Sequence, residues 1–256
     1  MERIRLALGA ALAAGLLLAP APSMATGIVL DGVGDSGMID GAYFTAIGSL
    51  TSAGTGQFDS FVRIQHGGMD PQFEAGFNTD GAVELETKSG PWTRSIQLSE
   101  IPLLAYEGTT YYEFLFDSNE VGGENSSIQI DDIQIFLGGA GDLTGYDGSA
   151  NTLAGLSAVY RLDDGDDHTI LLNANFNGSG RGEVQFLLPT TSVGGDPGDF
   201  LYFYSEYSLA GDGFEEWGLR VGGAVPPPAP AVPEPQTLLL MIAGLAGLTY
   251  QARRPS

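Results

Sequence analysis

The chain has 256 residues, of which 32 are Asp or Glu, 10 are Lys or Arg and none is Cys, for a net charge of −22. A field of that sign repels phosphate backbones and excludes nucleic acid as a partner. The lack of cysteine excludes thiol nucleophiles, thiolate zinc sites and iron–sulfur clusters, so burial alone must stabilise the fold.

In chain order, residues 1–25 read as a secretory signal. Arg3 and Arg5 form a charged start, Leu6–Ala19 is an apolar run, and Ser23 and Ala25 supply the small residues of a cleavage site after Ala25. The run is too short to span a bilayer. Entry would be through the Sec translocon. The mature domain is expected over 26–222, with six basic and thirty acidic residues and a net charge of about −24. That length suits one all-β domain with a sizeable core. Cations, calcium above all, and neutral or basic surfaces are the partners such a charge favours; simple solubility is the other reading.

Gly32–Gly37 (GVGDSG) matches G-x-G-x-x-G in form. Met38-Ile39-Asp40-Gly41 is no helix start, and a dinucleotide site needs one so that a helix N-terminus meets the pyrophosphate. The match is therefore set aside.

The mature chain is dominated by short β-rich runs punctuated by Gly, Asp, Asn and Ser. Strands are expected at Phe58–Gln65, Thr93–Ser99, Tyr111–Asp117, Ser127–Leu137, Ala158–Leu162, Thr169–Ala174, Glu183–Leu188, Phe200–Tyr207 and Glu216–Val221. Within Ser127–Leu137 the apolar phase slips by one residue at Asp131-Asp132, which predicts a β-bulge. A weak helical period runs over Thr152–Val159. The pattern predicts an antiparallel sandwich of jelly-roll type, flanked by an N-terminal signal helix and a C-terminal hydrophobic helix.

Candidate chemistry is sparse. His66 and His168 are about 100 residues apart and both sit in turns, and no Ser lies in a G-x-S-x-G elbow. Glu215-Glu216 beside Trp217 is the best glycosidase candidate, but neighbours on a strand point to opposite faces and cannot be the pair. No catalytic residue is therefore assigned. Asp163, Asp164, Asp166 and Asp167 gather in what reads as a hairpin loop, where hard oxygens suit calcium and a solvated turn is the alternative. Tyr202 and Tyr204 share one face of a strand, with Phe203 on the other, and are the candidate platform for a polysaccharide.

Ala224–Pro235 is a polyproline-like spacer, with the linker proper over 223–232. Thr237–Tyr250 is apolar or small throughout. As a helix it covers about 21 Å, short of the ~30 Å hydrocarbon core, and Arg253 and Arg254 follow at once. Basic residues stay cytoplasmic, so the domain would face outward. Val232-Pro233-Glu234-Pro235, the short Leu/Ala/Gly helix and Arg253-Arg254 together resemble a PEP-CTERM sorting signal over 233–256. The resemblance implies a Gram-negative secreted protein held transiently in the inner membrane. An exosortase-type membrane transpeptidase would recognise and cleave it at Pro-Glu-Pro and pass it to the cell surface or an exopolysaccharide matrix. The tail carries fewer basic residues than many such signals, and a permanent C-terminal anchor is the alternative. GQFDSFVRIQ (56–65), GFNTD (76–80), Trp92–Ser99, Ile128–Phe136, VYRLD (159–163) and GFEEW (213–217) resemble a set of mature domains found with this signal, a likeness that carries no known activity. The expectation is a non-enzymatic matrix or adhesive protein; a carbohydrate-binding module, and then a glycoside-acting enzyme, are the alternatives.

Overall fold

The computed structural model describes residues 26–48, 50, 56–66, 73–118, 127–173, 183–210 and 213–228. Ala25, Val232, Pro233, Glu234, Pro235, Arg253, Arg254 and both terminal helices expected from the sequence lie outside the described residues.

The described chain is all-β, built on two main sheets. Strands are numbered along the chain. One sheet runs β1 (Thr26–Leu30), β14 (His168–Asn173), β9 (Ser127–Gly138), β16 (Phe200–Ser208), β5 (Phe73–Phe77), with β13 (Tyr160–Arg161) also paired to β9 and β6 (Ile96–Gln97) to β16. The other runs β2 (Ser36–Ile39), β3 (Ala42–Ala46), β15 (Val184–Pro189), β8 (Thr109–Ser118), β17 (Glu215–Arg220), β4 (Phe58–Ile64), with β7 (Leu103–Tyr106) added to β8. Short strands β10 (Tyr146–Asp147), β11 (Thr152–Leu153) and β12 (Leu156–Ser157) form a third small sheet. Pairing is antiparallel except for β1, which lies parallel to β14.

Alternation along each strand decides what the sandwich encloses. In β8, Phe114 and Phe116 enter the central core, and Glu113 and Asp117 take the opposite face. In β16, Leu201, Phe203 and Tyr207 enter it, and Tyr202 and Tyr204 do not. Aromatic rings bridge the sheets, Phe203 meeting Trp217 at 4.5 Å and Phe186 at 6.0 Å, and within one sheet Phe44 stacks on its cross-strand neighbour Phe186 at 4.7 Å. Three polar groups among these rings satisfy one another. The Trp217 indole N–H donates to Tyr207 Oη at 2.7 Å, and Tyr207 and Ser205 hydroxyls are 2.6 Å apart.

The bulge expected at Asp131-Asp132 is present. Glu206 faces Asp132 and Tyr207 faces Ile130, so β9 carries one extra residue there. Three expectations need correction. Thr93–Ser99 gives only β6, followed by a 3-10 turn at Leu98–Glu100. The helical hint at Thr152–Val159 resolves into β11 and β12. The acidic segment Leu162–His168 is not a hairpin loop. β13 and β14 both run along the same side of β9, with Tyr160 opposite Ile135 and Ile170 opposite Ile130. The loop is thus an outward excursion from a single strand line, beside the β9 bulge.

After Gly32, the Gly-rich turn leads into β2 rather than a helix. The Asp35 carboxylate accepts the N–H groups of Asp31 and Gly32 at 2.9 and 2.8 Å, so an internal anion fills the place a phosphate would need. In β17, a Cβ added to Gly218 would lie 2.6 Å from the ring of Phe58 on the neighbouring β4. Gly218→Ala is therefore expected to cost about 1–3 kcal/mol, as overpacking does, read as a lowered denaturation midpoint at unchanged m-value.

Candidate functional site

Register brings together acids that are far apart in sequence. On the outer face of the second sheet, Asp117 of β8 faces Glu216 of β17, which faces Arg63 of β4. On the other side of Asp117 stands Glu183, at the start of β15, one position beyond the pair Val184–Phe116. Glu183, Asp117 and Glu216 are buried, at 1 %, 0 % and 3 % exposure. Three carboxylates thus lie in one cross-strand row.

Each end of the row solves the charge problem differently. Arg63 reaches Glu216 Oε1 through Nε and a terminal nitrogen, both at 2.9 Å. Its guanidinium lies between Trp92 and Phe214, 3.9 and 4.0 Å from the ring centroids, a sandwich that holds the cation flat against the sheet. Burial pushes the Glu216 carboxyl above the ordinary range, and Arg63 opposes that. Among the described residues Glu183 has no cation beside it. Burial, then the Asp117 charge, pushes its carboxyl up to about 9. Its Oε2 accepts the Ser118 N–H at 3.1 Å, and the Asp117 side chain beside it favours its protonated form. The row therefore runs Glu183, Asp117, Glu216, Arg63.

Below this row on the same face, Glu113 is held by Arg220, whose Nε lies 3.0 and 3.1 Å from the two carboxylate oxygens. The Gln185 amide donates to Glu113 and also to Val225 O at 2.7 Å. Ala224 packs with Tyr43, Tyr106, Tyr111 and Leu187. The segment after β17 therefore folds back over this face, and the first spacer residues, Ala224 and Val225, go with it.

The expected site residues fall as follows. Tyr202 and Tyr204 are brought together on one face, but both are buried, at 0 % and 3 % exposure, which corrects their expected role as a sugar platform. The chain between β9 and β13 folds over them. Tyr146 stacks on Tyr204 at 4.2 Å, and the Tyr202 hydroxyl accepts the Leu143 N–H at 3.0 Å and donates to Ala140 O. In the acidic excursion Asp163 turns inward, accepting the His168 N–H at 2.8 Å, and Asp164, Asp166 and Asp167 are exposed. No three His, Asp or Glu side chains among the described residues converge on a point that could hold a metal ion. Glu215 and Glu216 take opposite faces of β17, as strand geometry requires.

Sequence reading missed Asp117, Glu183 and Glu113. The available signal was an acid at every fourth position, Glu113 and Asp117, on the face opposite Phe114 and Phe116 in an otherwise apolar strand. Comparison with protein-family models, curated proteins and solved structures finds no match to this chain, so function has to be argued from the residues.

Proposed function

We propose that this is a secreted, exosortase-sorted protein of the cell surface or exopolysaccharide matrix, with a structural or adhesive rather than catalytic role. The observation that carries the reading is how its carboxylates are used. The acids that adjacent strands align are buried and committed to Arg63, Arg220 or one another, and a catalytic pair must meet a polymer substrate and water. Apart from the buried Glu74 and Glu215, the remaining described acids are exposed or half-buried and leave the surface negative. A cysteine-free sandwich with an aromatic inter-sheet core supplies a rigid body suited to an extracellular matrix. Val232 comes seven residues after Val225, whose carbonyl is bonded to Gln185. Even a fully extended polyproline-like spacer then keeps the Pro-Glu-Pro motif within about 25 Å of the sandwich.

The test is the mass of the C-terminal peptide of the native protein, recovered separately from surface and medium. A terminus near Pro233–Pro235 is expected, and deletion of Val232–Pro235 should retain the protein in the inner membrane. An intact Ser256 in the surface fraction overturns the sorting mechanism. Turnover of host exopolysaccharide that disappears in Glu216→Gln overturns the non-catalytic role.

A further inference from the structure

A partly open polar cavity of about 260 Å³ lies beside β13. Its walls come from β13, from the β2–β3 turn at Asp40, from α1 (Thr190–Val193) and from the acidic excursion. Tyr160 and Arg161 line it, with Asp40, Asp164 and Ser192 around them. We propose that this cavity binds a single neutral sugar residue, an end or side unit of a matrix polysaccharide. The inference rests on the matrix reading above and names the ligand class for it.

One observation independent of the cavity's shape points to an occupant. Tyr160 is 94 % buried, its ring packed near Phe186 at 5.9 Å, and its hydroxyl has no hydrogen-bond partner among the described residues. Buried polar groups are almost always paired, so the orphaned hydroxyl of Tyr160, a lining residue of this cavity, requires a partner. Burial raises the Tyr160 phenol far above its ordinary value, and the nearby charges of Asp40, Asp132 and Asp163 add to this, so it stays a donor at every physiological pH.

The lining chemistry selects the ligand. Tyr160, Arg161 and Ser192 bring donors to the lining, and Asp40 and Asp164 bring acceptors. Vicinal hydroxyls, each able to donate and accept, match that mixture. An anionic group would meet Asp40, Asp164 and the overall negative field. A divalent cation would meet Arg161. A hydrocarbon would leave the phenol and guanidinium unpaired. The size is just below the roughly 300–1,000 Å³ of sites for drug-sized ligands, which limits the occupant to about one ring. The rim is preset. Asp40 and Gly41 hold φ of 49° and 81°, the two-residue turn in which both central residues take positive φ. A Cβ at Gly41 would lie 3.8 Å from Pro189, so turn and α1 are close neighbours.

Saturation-transfer NMR on the native processed protein tests this, using the methyl glycosides of glucose, galactose, mannose and N-acetylglucosamine as probes. At least one is expected to bind with a Kd on the order of 1 mM, in keeping with a small ligand making a few hydrogen bonds. Tyr160→Phe keeps the ring and removes the hydroxyl, and should weaken binding about tenfold, as should Arg161→Gln. Excess calcium or chelator should leave the signal unchanged. No binding by any of the four sugars, binding indifferent to Tyr160→Phe, or displacement by calcium each overturns the inference. A protein correctly cleaved at Pro233–Pro235 yet blind to sugars would overturn this inference and leave the sorting reading standing.

Discussion

Glu183→Gln is expected to remove most of the decline in stability that the wild-type protein shows between about pH 6 and pH 9. The Glu183 carboxyl rises from 4.5 to about 9 on folding. Between those values the folded state holds a proton that the unfolded chain has released, so stability falls as pH rises. The contribution is fully present below about pH 4.5 and is lost as pH climbs through the folded value near 9. Each pH unit inside the window is worth about 1.4 kcal/mol for one group, and the total is several kcal/mol. Asp132, which burial raises to about 6, acts with the same sign, but its loss is complete near neutrality. The slope above pH 6 therefore belongs mainly to Glu183. A Gln at this position offers a carbonyl to the Ser118 N–H and an amide donor to Asp117, copying the neutral acid at every pH. The measurement is the denaturant midpoint at a series of pH values for both proteins. Parallel curves above pH 6 would show that Glu183 is ionised in the folded state and that the row has another source of compensation.

The features legible in the sequence were those written along one strand. Period-two alternation in Ser127–Leu137 located β9 and even its bulge, because the phase slip at Asp131-Asp132 is a local signal. The same rule separated Tyr202 and Tyr204 from Phe203 and placed Glu215 and Glu216 on opposite faces. What alternation cannot say is which face is covered. The segment that buries Tyr202 and Tyr204 lies between β9 and β13, some 45 to 60 residues upstream, and its stacking residue Tyr146 sits in a strand two residues long. The carboxylate row was hidden for a related reason. Glu183, Asp117 and Glu216 are aligned by the pairing of three strands remote in sequence, and register of that kind is set by the whole sheet. The acidic excursion looked like a hairpin because two β-rich runs flank it; only the prior presence of β9 turns those runs into one interrupted strand. β1, β2, β3, β5 and β7 escaped because Gly and Ala at positions such as Ala75 and Gly76 blank out the alternation that would mark them.

Arg220→Met should destabilise the domain by about 3–5 kcal/mol, because it leaves Glu113 charged in a site with no exposure. The attraction between the pair is not the reason the number is large. Taking two ions out of water costs nearly as much as their contact returns, and the penalty appears when one ion is left behind. Glu113→Gln combined with Arg220→Met removes both charges, keeps an amide acceptor for Gln185, and is expected to recover more than half of the loss. For a domain of about 200 residues each kcal/mol moves Tm by roughly 2–4 °C, so the single variant should melt about 10 °C lower and the double variant only a few degrees lower. A second readout follows from Gln185, which bridges Glu113 and Val225 O. An unpaired Glu113 draws in water or moves away, the bridge opens, and the segment from Val221 to Val225 loses its hold on the sheet. Limited proteolysis at Gly222-Gly223 should then quicken in Arg220→Met and return toward the wild-type rate in the double variant. Losses that simply add, with no recovery in the double variant, would mean that Glu113 finds its counter-charge or its water elsewhere, and that the docking of the segment before the sorting motif does not depend on this ion pair.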